Sequence, residues 1–227
     1  MAVALGQLIP LGRSFREYEL MFDLSAADLG GKILGCGDGP ASFNADVTAR
    51  GGQIISVDPL YEYSGPEIRQ RFEATVDGVM EQVIASPDDW TWSFHRDPHD
   101  LRRNRLSAMH AFLADYDRGR REKRYLAAAL PHLPFADGQF DLAVCSHLLF
   151  LYSDLLPLEF HIQSVREMCR VSREVRIFPL LTLAGKASPH IEPVRQALTT
   201  VGIESSVNRV TYEFQKGGNQ MLRLMQR

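Results

Sequence analysis

Apolar residues recur along this chain in two spacings, and their alternation predicts an α/β protein. Short apolar runs of strand length fall near 32–36, 53–57, 124–130, 140–146 and 174–178. Apolar residues at helical spacing fall near 14–24, 41–50, 157–171 and 189–201. Two further strand-like runs, near 203–214 and 219–226, flank Gly217-Gly218-Asn219, a connection that suits an antiparallel hairpin. We therefore expect a doubly wound, seven-stranded, mostly parallel sheet with an antiparallel last strand.

Residues 61–123, between the second and third predicted strands, form a segment far longer than a parallel crossover needs. The segment opens with the helix-start signal Ser64-Gly-Pro-Glu67. Two series of apolar residues follow at helical spacing: Ile68, Phe72, Val76, Val79, Met80, Val83 and Ile84, then Leu106, Met109, Phe112, Leu113 and Tyr116. A short aromatic cluster at 90–95 separates them. We expect a single domain over residues 1–227, with 61–123 inserted as a helical cap beside the functional site.

The composition is that of an ordinary globular protein, with 45% hydrophobic and 23% charged residues among 227. A net charge of −3 lacks the basic excess that is typical of nucleic-acid-binding proteins. The cysteines Cys36, Cys145 and Cys169 have no metal-ligand spacing, so we expect reduced, packed thiols in a reducing compartment. The chain shows no leader pattern and no apolar run of membrane-spanning length. We expect a cytoplasmic protein with no metal site and no membrane partner.

The motif with the most chemical content lies at the end of the first predicted strand. Residues 32–39, Lys-Ile-Leu-Gly-Cys-Gly-Asp-Gly, alternate glycines, and a second apolar run ends in Asp58 about twenty residues later. A βαβ nucleotide-binding unit has this form, because glycines allow a tight turn and close approach of a ligand, and the acid accepts ribose hydroxyls. The dinucleotide pattern G-x-G-x-x-G needs a small residue where this chain has Pro40. The spacing therefore disfavours a nicotinamide-dependent oxidoreductase.

The pattern that stands here, Gly35-Cys36-Gly37-Asp38-Gly39, resembles the first motif of class I S-adenosylmethionine-dependent methyltransferases. Residues 133–141, Leu-Pro-Phe-Ala-Asp-Gly-Gln-Phe-Asp, resemble the segment that leads into the fourth strand in the same family. The two motifs occur in the family's order, and the resemblance covers most of the chain. It implies a Rossmann-like methyltransferase fold with S-adenosylmethionine as cofactor. It also implies methyl transfer to an acceptor that the sequence does not identify, with a small molecule favoured.

The resemblance further implies which residues meet the two ligands. The residues expected against S-adenosylmethionine, or its product S-adenosylhomocysteine, are Gly35, Cys36, Gly37, Asp38, Gly39, Asp58, Pro59, Leu60, Ala129, Leu130 and Ser146. The residues expected against the acceptor are Tyr18, His147, Phe150 and Tyr152. For Asp38, the alternative of capping the following helix stays open.

His147 is the candidate catalytic residue. It follows the fourth predicted strand at the carboxyl edge of the sheet, and an imidazole can accept a proton near neutral pH. The alternative interpretation is a hydrogen-bonded structural histidine. Ile33 and Ala129 stand where many family members carry acids, and this departure keeps open a protein that binds the cofactor without turnover.

Residues 96–124 are rich in basic side chains, nine against five acids: Arg96, Arg102, Arg103, Arg105, Arg118, Arg120, Arg121, Lys123 and Arg124. A solvated helix face is the default interpretation of such a stretch. The alternative is attraction of an anionic acceptor, including RNA. The sequence therefore leaves three functions open: a small-molecule methyltransferase, an RNA methyltransferase that uses the basic cap, and a non-catalytic cofactor-binding protein.

Overall fold

The computed structural model describes residues 10–226, and its seven strands form one mixed sheet. The strands are β1 (Lys32–Cys36), β2 (Gln53–Val57), β3 (Tyr125–Leu126), β4 (Phe140–Ser146), β5 (Ser172–Phe178), β6 (Ile203–Arg209) and β7 (Gln220–Gln226). Their order across the sheet is β3-β2-β1-β4-β5-β7-β6, and β7 runs antiparallel to both of its neighbours. The predicted fold class is confirmed: a doubly wound, mostly parallel sheet whose last strand is reversed, as the resemblance to class I methyltransferases implies.

Helices cover both faces of the sheet. They are α1 (Phe15–Phe22), α2 (Ala26–Gly30), α3 (Phe43–Ala49), α4 (Gly65–Ala85), α5 (Pro98–Arg121), α6 (Leu158–Val171) and α7 (Ile191–Thr199). The apolar residues of α1 and α3 pack on one face of the sheet, and those of α6 and α7 pack on the other. No helix among residues 10–226 is long and apolar enough to cross a membrane.

The central strands are apolar at successive positions because both of their faces are buried. In β1, Ile33 faces α1 and α3, while Leu34 faces α6 and α7. In β4, Val144 and Cys145 divide between the two faces in the same way. These strands read as continuous apolar runs in the sequence, and their bounds were predicted to within two residues.

Capping boxes start α1 and α4, the second of them at the predicted helix start Ser64–Glu67. At the start of α1, the Glu17 backbone N–H donates to Ser14 Oγ, and the Ser14 backbone N–H donates to Glu17 Oε2 at 2.8 Å. Ser64 and Glu67 repeat the arrangement at the start of α4. Each box satisfies backbone N–H groups that have no partner within the helix.

The helices α4 and α5 pack against each other at the edge of the sheet next to β3. Phe72 from α4 and Phe112 from α5 lie in one buried cluster with Tyr125 of β3. The predicted apolar faces of both helices are therefore present. Ile84 is an exception, since it is 58% exposed near the end of α4.

Two predicted strands are shorter than expected. The third covers only Tyr125–Leu126 instead of 124–130, because its neighbour β2 ends at Val57 and the chain then turns back on itself at 128–132. The first strand of the tail ends at Arg209 instead of 214. Its continuation leaves the sheet because its backbone pairs with residues 89–91 of the cap: the Thr91 N–H donates to the Phe214 oxygen at 2.7 Å. Residues 210–219 thus form a long connection over the sheet edge.

Candidate functional site

The glycine loop 35–39 leaves the carboxyl end of β1 in a conformation that requires glycine at two positions. Gly37 has φ +67° and Gly39 has φ +52°, in the left-handed region that side chains disfavour. A Cβ at Gly37 would lie 2.6 Å from Leu148 Cδ2, whereas at Gly39 it would meet only Asp58 Oδ2, at 3.9 Å. The backbone at Gly39 therefore borders open space beside the Asp58 carboxylate.

Asp58 directly follows β2 and faces the glycine loop, as its spacing in the sequence predicts. Its Oδ2 accepts a hydrogen bond from the Gly39 N–H and its Oδ1 one from the Leu60 N–H, both at 2.8 Å. Burial raises the pKa of Asp58, and these two N–H groups partly offset that effect. A carboxylate has about four acceptor positions, so the backbone orients this one and leaves acceptor capacity for a ligand.

Asp38 lies beneath the glycine loop. It is only 6% exposed and accepts hydrogen bonds from the Tyr18 hydroxyl at 2.9 Å and from Ser56 Oγ at 2.6 Å. Burial raises the pKa of Asp38 to about 7, although both hydrogen bonds oppose the rise. A Cβ at Gly35 would overlap this carboxylate. The Asp38 side chain therefore packs beneath the loop in space that only a glycine at position 35 leaves free. Asp38 does not cap α3, whose N-cap residue is Ser42.

His147 follows β4 with φ +55°, and its backbone N–H donates to the Phe178 oxygen at 2.7 Å. Its Nδ1 lies 2.8 Å from Ser146 Oγ. Burial, and then the positive charges of Arg13 and Arg105, hold the pKa of His147 well below its usual value. The imidazole is therefore neutral at neutral pH, and it is a weaker base than an unperturbed histidine.

A cavity of about 120 Å³ lies beside His147, between the carboxyl ends of β4 and β5, the helices α4 and α5, and the 210–219 connection. Its lining is mainly apolar, with polar side chains from six residues: Arg13, Arg105, His147, Tyr152, Tyr212 and Gln215. Ligand pockets typically have this composition, mainly apolar walls with a few polar groups. The helices α4 and α5 therefore line a cavity at the carboxyl edge of the sheet, where open α/β sheets bind their ligands.

The buried wall of this cavity contains an ion pair that sequence analysis missed. Glu17 Oε1 and Oε2 accept hydrogen bonds from the two terminal nitrogens of Arg105, each at 2.8 Å, and the Tyr212 hydroxyl donates to Oε1 at 2.8 Å. The Glu17 side chain has no exposed surface and that of Arg105 is 4% exposed. Glu17 lies in the first turn of α1, and no local signal in the sequence indicates its partner 88 residues away.

Two of the four residues expected to contact the acceptor line the cavity, and two do not. His147 and Tyr152 are part of its wall. Tyr18 is instead buried against Phe43 with its hydroxyl on Asp38. Phe150 has no exposed surface and packs in the main core, where its N–H donates to His161 Nε2. The expectation for Tyr18 and Phe150 is therefore corrected: both side chains belong to the protein interior.

Some of the residues expected to contact the cofactor lie at the carboxyl edge of the sheet, and others lie in the core or in an exposed turn. Besides the loop and Asp58, Leu60 is partly exposed and Pro59 is exposed in the short helical turn that follows β2. Ser146 lies against His147. Cys36 and Leu130, by contrast, are core residues, and Ala129 is an exposed turn residue. A smaller set than predicted, around Gly37, Gly39, Asp58 and Leu60, faces one edge of the sheet.

The basic stretch 96–124 is largely neutralised by acids of the same chain. Six of its nine basic residues form ion pairs: Arg96, Arg102, Arg103, Arg105, Arg118 and Arg124. The acids that pair with them include Asp77 on α4 and Asp115 on α5. This pairing agrees with the solvated helix face and lowers the positive potential available to RNA.

Comparison with known proteins gives one relative of substantial identity. The uncharacterized protein MJ0045 of Methanocaldococcus jannaschii is 31% identical over 214 residues, which cover 93% of each chain. No protein-family model matches the chain.

Solved structures that resemble the chain include two methyltransferases. Magnesium protoporphyrin IX methyltransferase of Synechocystis PCC 6803, with bound S-adenosylmethionine, is 12% identical with a TM-score of 0.47, over 93% of this chain and 76% of the other. A putative S-adenosylmethionine-dependent methyltransferase of Methanococcus maripaludis is 11% identical with a TM-score of 0.46, over 94% and 83%. No residue role or substrate follows from matches at this level of similarity.

Proposed function

We propose that this chain, which belongs to the family of the Methanocaldococcus jannaschii protein MJ0045, is an S-adenosylmethionine-dependent methyltransferase that acts on a small molecule. The observation that carries the proposal is the pairing of the glycine loop with Asp58. Both lie at the carboxyl edge of a doubly wound sheet, the edge at which the cavity beside His147 also lies.

The residues at this edge fit the cofactor. Asp58 is an acceptor-only carboxylate, held in place by the Gly39 and Leu60 N–H groups, and it suits the paired hydroxyls of a ribose. The open space at Gly39 lets a ligand approach the backbone closely. Leu60 supplies an apolar surface beside Asp58 for the adenine. When bound, S-adenosylmethionine supplies an activated methyl group, so the chemistry left to the protein is positioning and removal of one proton.

The chain's own residues can perform these tasks in the cavity beside His147. Its apolar walls from α4 and the 210–219 connection exclude water, and its polar end orients the acceptor. His147 is the residue there that can accept a proton, since its imidazole is neutral and Ser146 holds Nδ1. Residues 61–123 act in this proposal as a cap within a single domain of residues 1–227.

Two alternatives remain as outcomes of the test. A cofactor-binding protein without turnover is favoured by Ile33, which is a buried core residue where many family members carry an acid. An RNA methyltransferase is disfavoured by the ion pairs along α5. A cytoplasmic location is supported by the burial of all three cysteines, Cys36, Cys145 and Cys169.

The test is calorimetric titration with S-adenosylhomocysteine and, separately, with NAD(H). The wild type should bind S-adenosylhomocysteine, and Asp58→Ala should weaken this binding by at least about tenfold, because a hydrogen bond to a charged group contributes about 1.5–3 kcal/mol. Asp46→Ala is the matched control, since Asp46 is a surface acid on α3 that pairs with Arg50.

Absence of S-adenosylhomocysteine binding, or equal effects of the two variants, would contradict the proposal. NAD(H) binding in its place would identify an oxidoreductase. Binding of S-adenosylhomocysteine without methyl release from S-adenosylmethionine, over a panel of small acceptors and RNA, would support the non-catalytic alternative.

A further inference from the structure

We propose that the cavity takes an acceptor with one carboxylate attached to an apolar body, and that Arg13 is the residue that binds this carboxylate. The inference names the substrate class of the proposed methyltransferase and therefore rests on that function. It stands on the charges that line the cavity, on the hydrogen bonds of Arg13 and on the chemistry of the walls.

The charges that line the cavity do not balance. Two arginines, Arg13 and Arg105, are among the lining residues, and no acidic side chain of the described residues 10–226 is. The charge of Arg105 is neutralised by Glu17, whose two carboxylate oxygens accept hydrogen bonds from the two terminal nitrogens of Arg105. His147 is neutral. One positive charge, that of Arg13, is therefore left facing a mainly apolar cavity.

The hydrogen bonds of Arg13 are also incomplete. One terminal nitrogen donates to the Leu11 carbonyl oxygen, while the buried Nε has no acceptor among residues 10–226. No carboxylate of the described chain lies within ion-pair distance of Arg13, and residues 1–9 contain no Asp or Glu. Burial, and then Arg105, lower the pKa of Arg13, the direction expected for a cation without a sufficient partner. A guanidinium in this state is a preorganised site for an anion with two oxygens.

The walls determine the rest of the ligand. The apolar lining comes from four parts of the chain: Val79, Met80 and Val83 of α4, Leu101 of α5, Trp90 between these helices, and Phe214 of the 210–219 connection. Such walls favour hydrocarbon or aromatic groups and disfavour polar ones. A polynucleotide or a sugar is therefore a poor fit, whereas an aliphatic or aromatic acid matches both ends of the cavity.

The single surplus charge distinguishes a carboxylate from a phosphate. A monocarboxylate neutralises Arg13 one to one. A phosphate monoester carries about −1.5 to −2 near neutral pH and would leave negative charge uncompensated in an apolar cavity. Arg105 cannot supply the missing positive charge without releasing Glu17, which is fully buried.

Calorimetry with matched acids and alcohols tests the inference. The probes are octanoate with 1-octanol and 3-phenylpropanoate with 3-phenylpropan-1-ol, and octyl phosphate represents the phosphate alternative. The wild type should bind at least one acid about tenfold or more tightly than its alcohol. Arg13→Gln should remove that preference while leaving alcohol binding nearly unchanged, and Arg13→Lys should keep part of it. Arg16→Gln is the matched control, because Arg16 is 63% exposed and pairs with Glu19 on the surface.

The inference is overturned if the wild type binds neither acid more tightly than its alcohol, if Arg13→Gln weakens acid and alcohol equally, or if octyl phosphate binds more tightly than octanoate. Circular dichroism spectra of the variants check that they are folded. Titration of the same proteins with S-adenosylhomocysteine separates the two proposals. Failure of that binding counts against the methyltransferase, while loss of acid preference with intact S-adenosylhomocysteine binding counts against the carboxylate site alone.

Discussion

Replacing Glu17 by Gln should strongly destabilise this protein, because it removes the charge that neutralises Arg105 in the buried cavity wall. Burial alone would raise the pKa of Glu17, but the Arg105 charge, the hydrogen bonds from Arg105 and the nearby His95, whose Nε2 lies 3.4 Å from Glu17 Oε1, hold it well below its usual range. The side chain is therefore ionised at neutral pH. The Gln amide keeps the shape and one acceptor oxygen but leaves the Arg105 guanidinium, 4% exposed, without a counter-charge.

The magnitude follows from the burial of both partners. Removing one partner of a buried ion pair costs about 3–5 kcal/mol, because the other charge stays desolvated. In a chain of this size, 1 kcal/mol corresponds to about 2–4 °C in Tm, so the expected loss is about 6–20 °C. The pKa of Glu17 is depressed in the folded state, so its stabilisation is present above the unfolded pKa and is lost as the pH falls through the folded pKa. The difference between wild type and variant should therefore shrink in acid, below about pH 4.

Urea unfolding followed by circular dichroism at neutral pH measures the effect. Glu19→Gln is the matched control on the same helix, since Glu19 pairs with Arg16 at 3.0 Å on the surface and should contribute about 0–1 kcal/mol. Adding Arg105→Met to Glu17→Gln should recover part of the loss, because it removes the unpaired cation. A Glu17→Gln variant no less stable than Glu19→Gln would show that the pair is not buried and ionised as described.

Two further predictions concern titrating groups. The pKa of Asp38 is raised to about 7 from an ordinary 3.8, so the folded protein holds this proton more tightly than the unfolded chain and stability should fall as the pH rises from about 4 to about 7. Urea unfolding at several pH values should show the wild type losing up to about 4 kcal/mol relative to Asp38→Asn over that range, and parallel curves would contradict the assignment. The pKa of His147 lies well below its usual 6.5, so the methyl-transfer rate should show no acidic limb near that pH. His147→Gln should cut turnover about a hundredfold to ten-thousandfold and leave the affinity for S-adenosylhomocysteine unchanged. A wild-type limb near pH 6.5 that the variant lacks would mean that the imidazole titrates normally, and normal turnover of the variant would make His147 structural.

The elements predicted best are those whose residues are buried on both faces. The bounds of β1, β2 and β4 agree with the sequence, because a continuous apolar run ended by glycine or a polar residue has few other solutions. The errors fall where a distant segment decides the outcome. The tail strand ends at Arg209 because residues 89–91 of the cap take over its backbone hydrogen bonds, and nothing local in 203–214 indicates that partner.

In the candidate site, too, the positions that follow from strand spacing were predicted, and those that depend on packing were not. Gly37, Gly39 and Asp58 were predicted together because neighbouring parallel strands bring their carboxyl ends to one edge, so spacing in the chain becomes proximity in space. Tyr18 and Phe150 were misplaced because an aromatic residue near a site has the same sequence signature whether it faces the ligand or the core.

By itself, the sequence determined the alternation of strands and helices, the reversed last strand, the glycine loop and its acid, since each depends on local spacing, on turn chemistry or on the order of elements. Only the tertiary structure decided which charges are left without a partner. Glu17 lies 88 residues from Arg105, and their pairing is what leaves Arg13 alone in the cavity. The net charge of the chain, −3, contains no trace of that local surplus. Burial sets the free energy of a charge, and burial is a property of the packed chain that no stretch of sequence specifies alone.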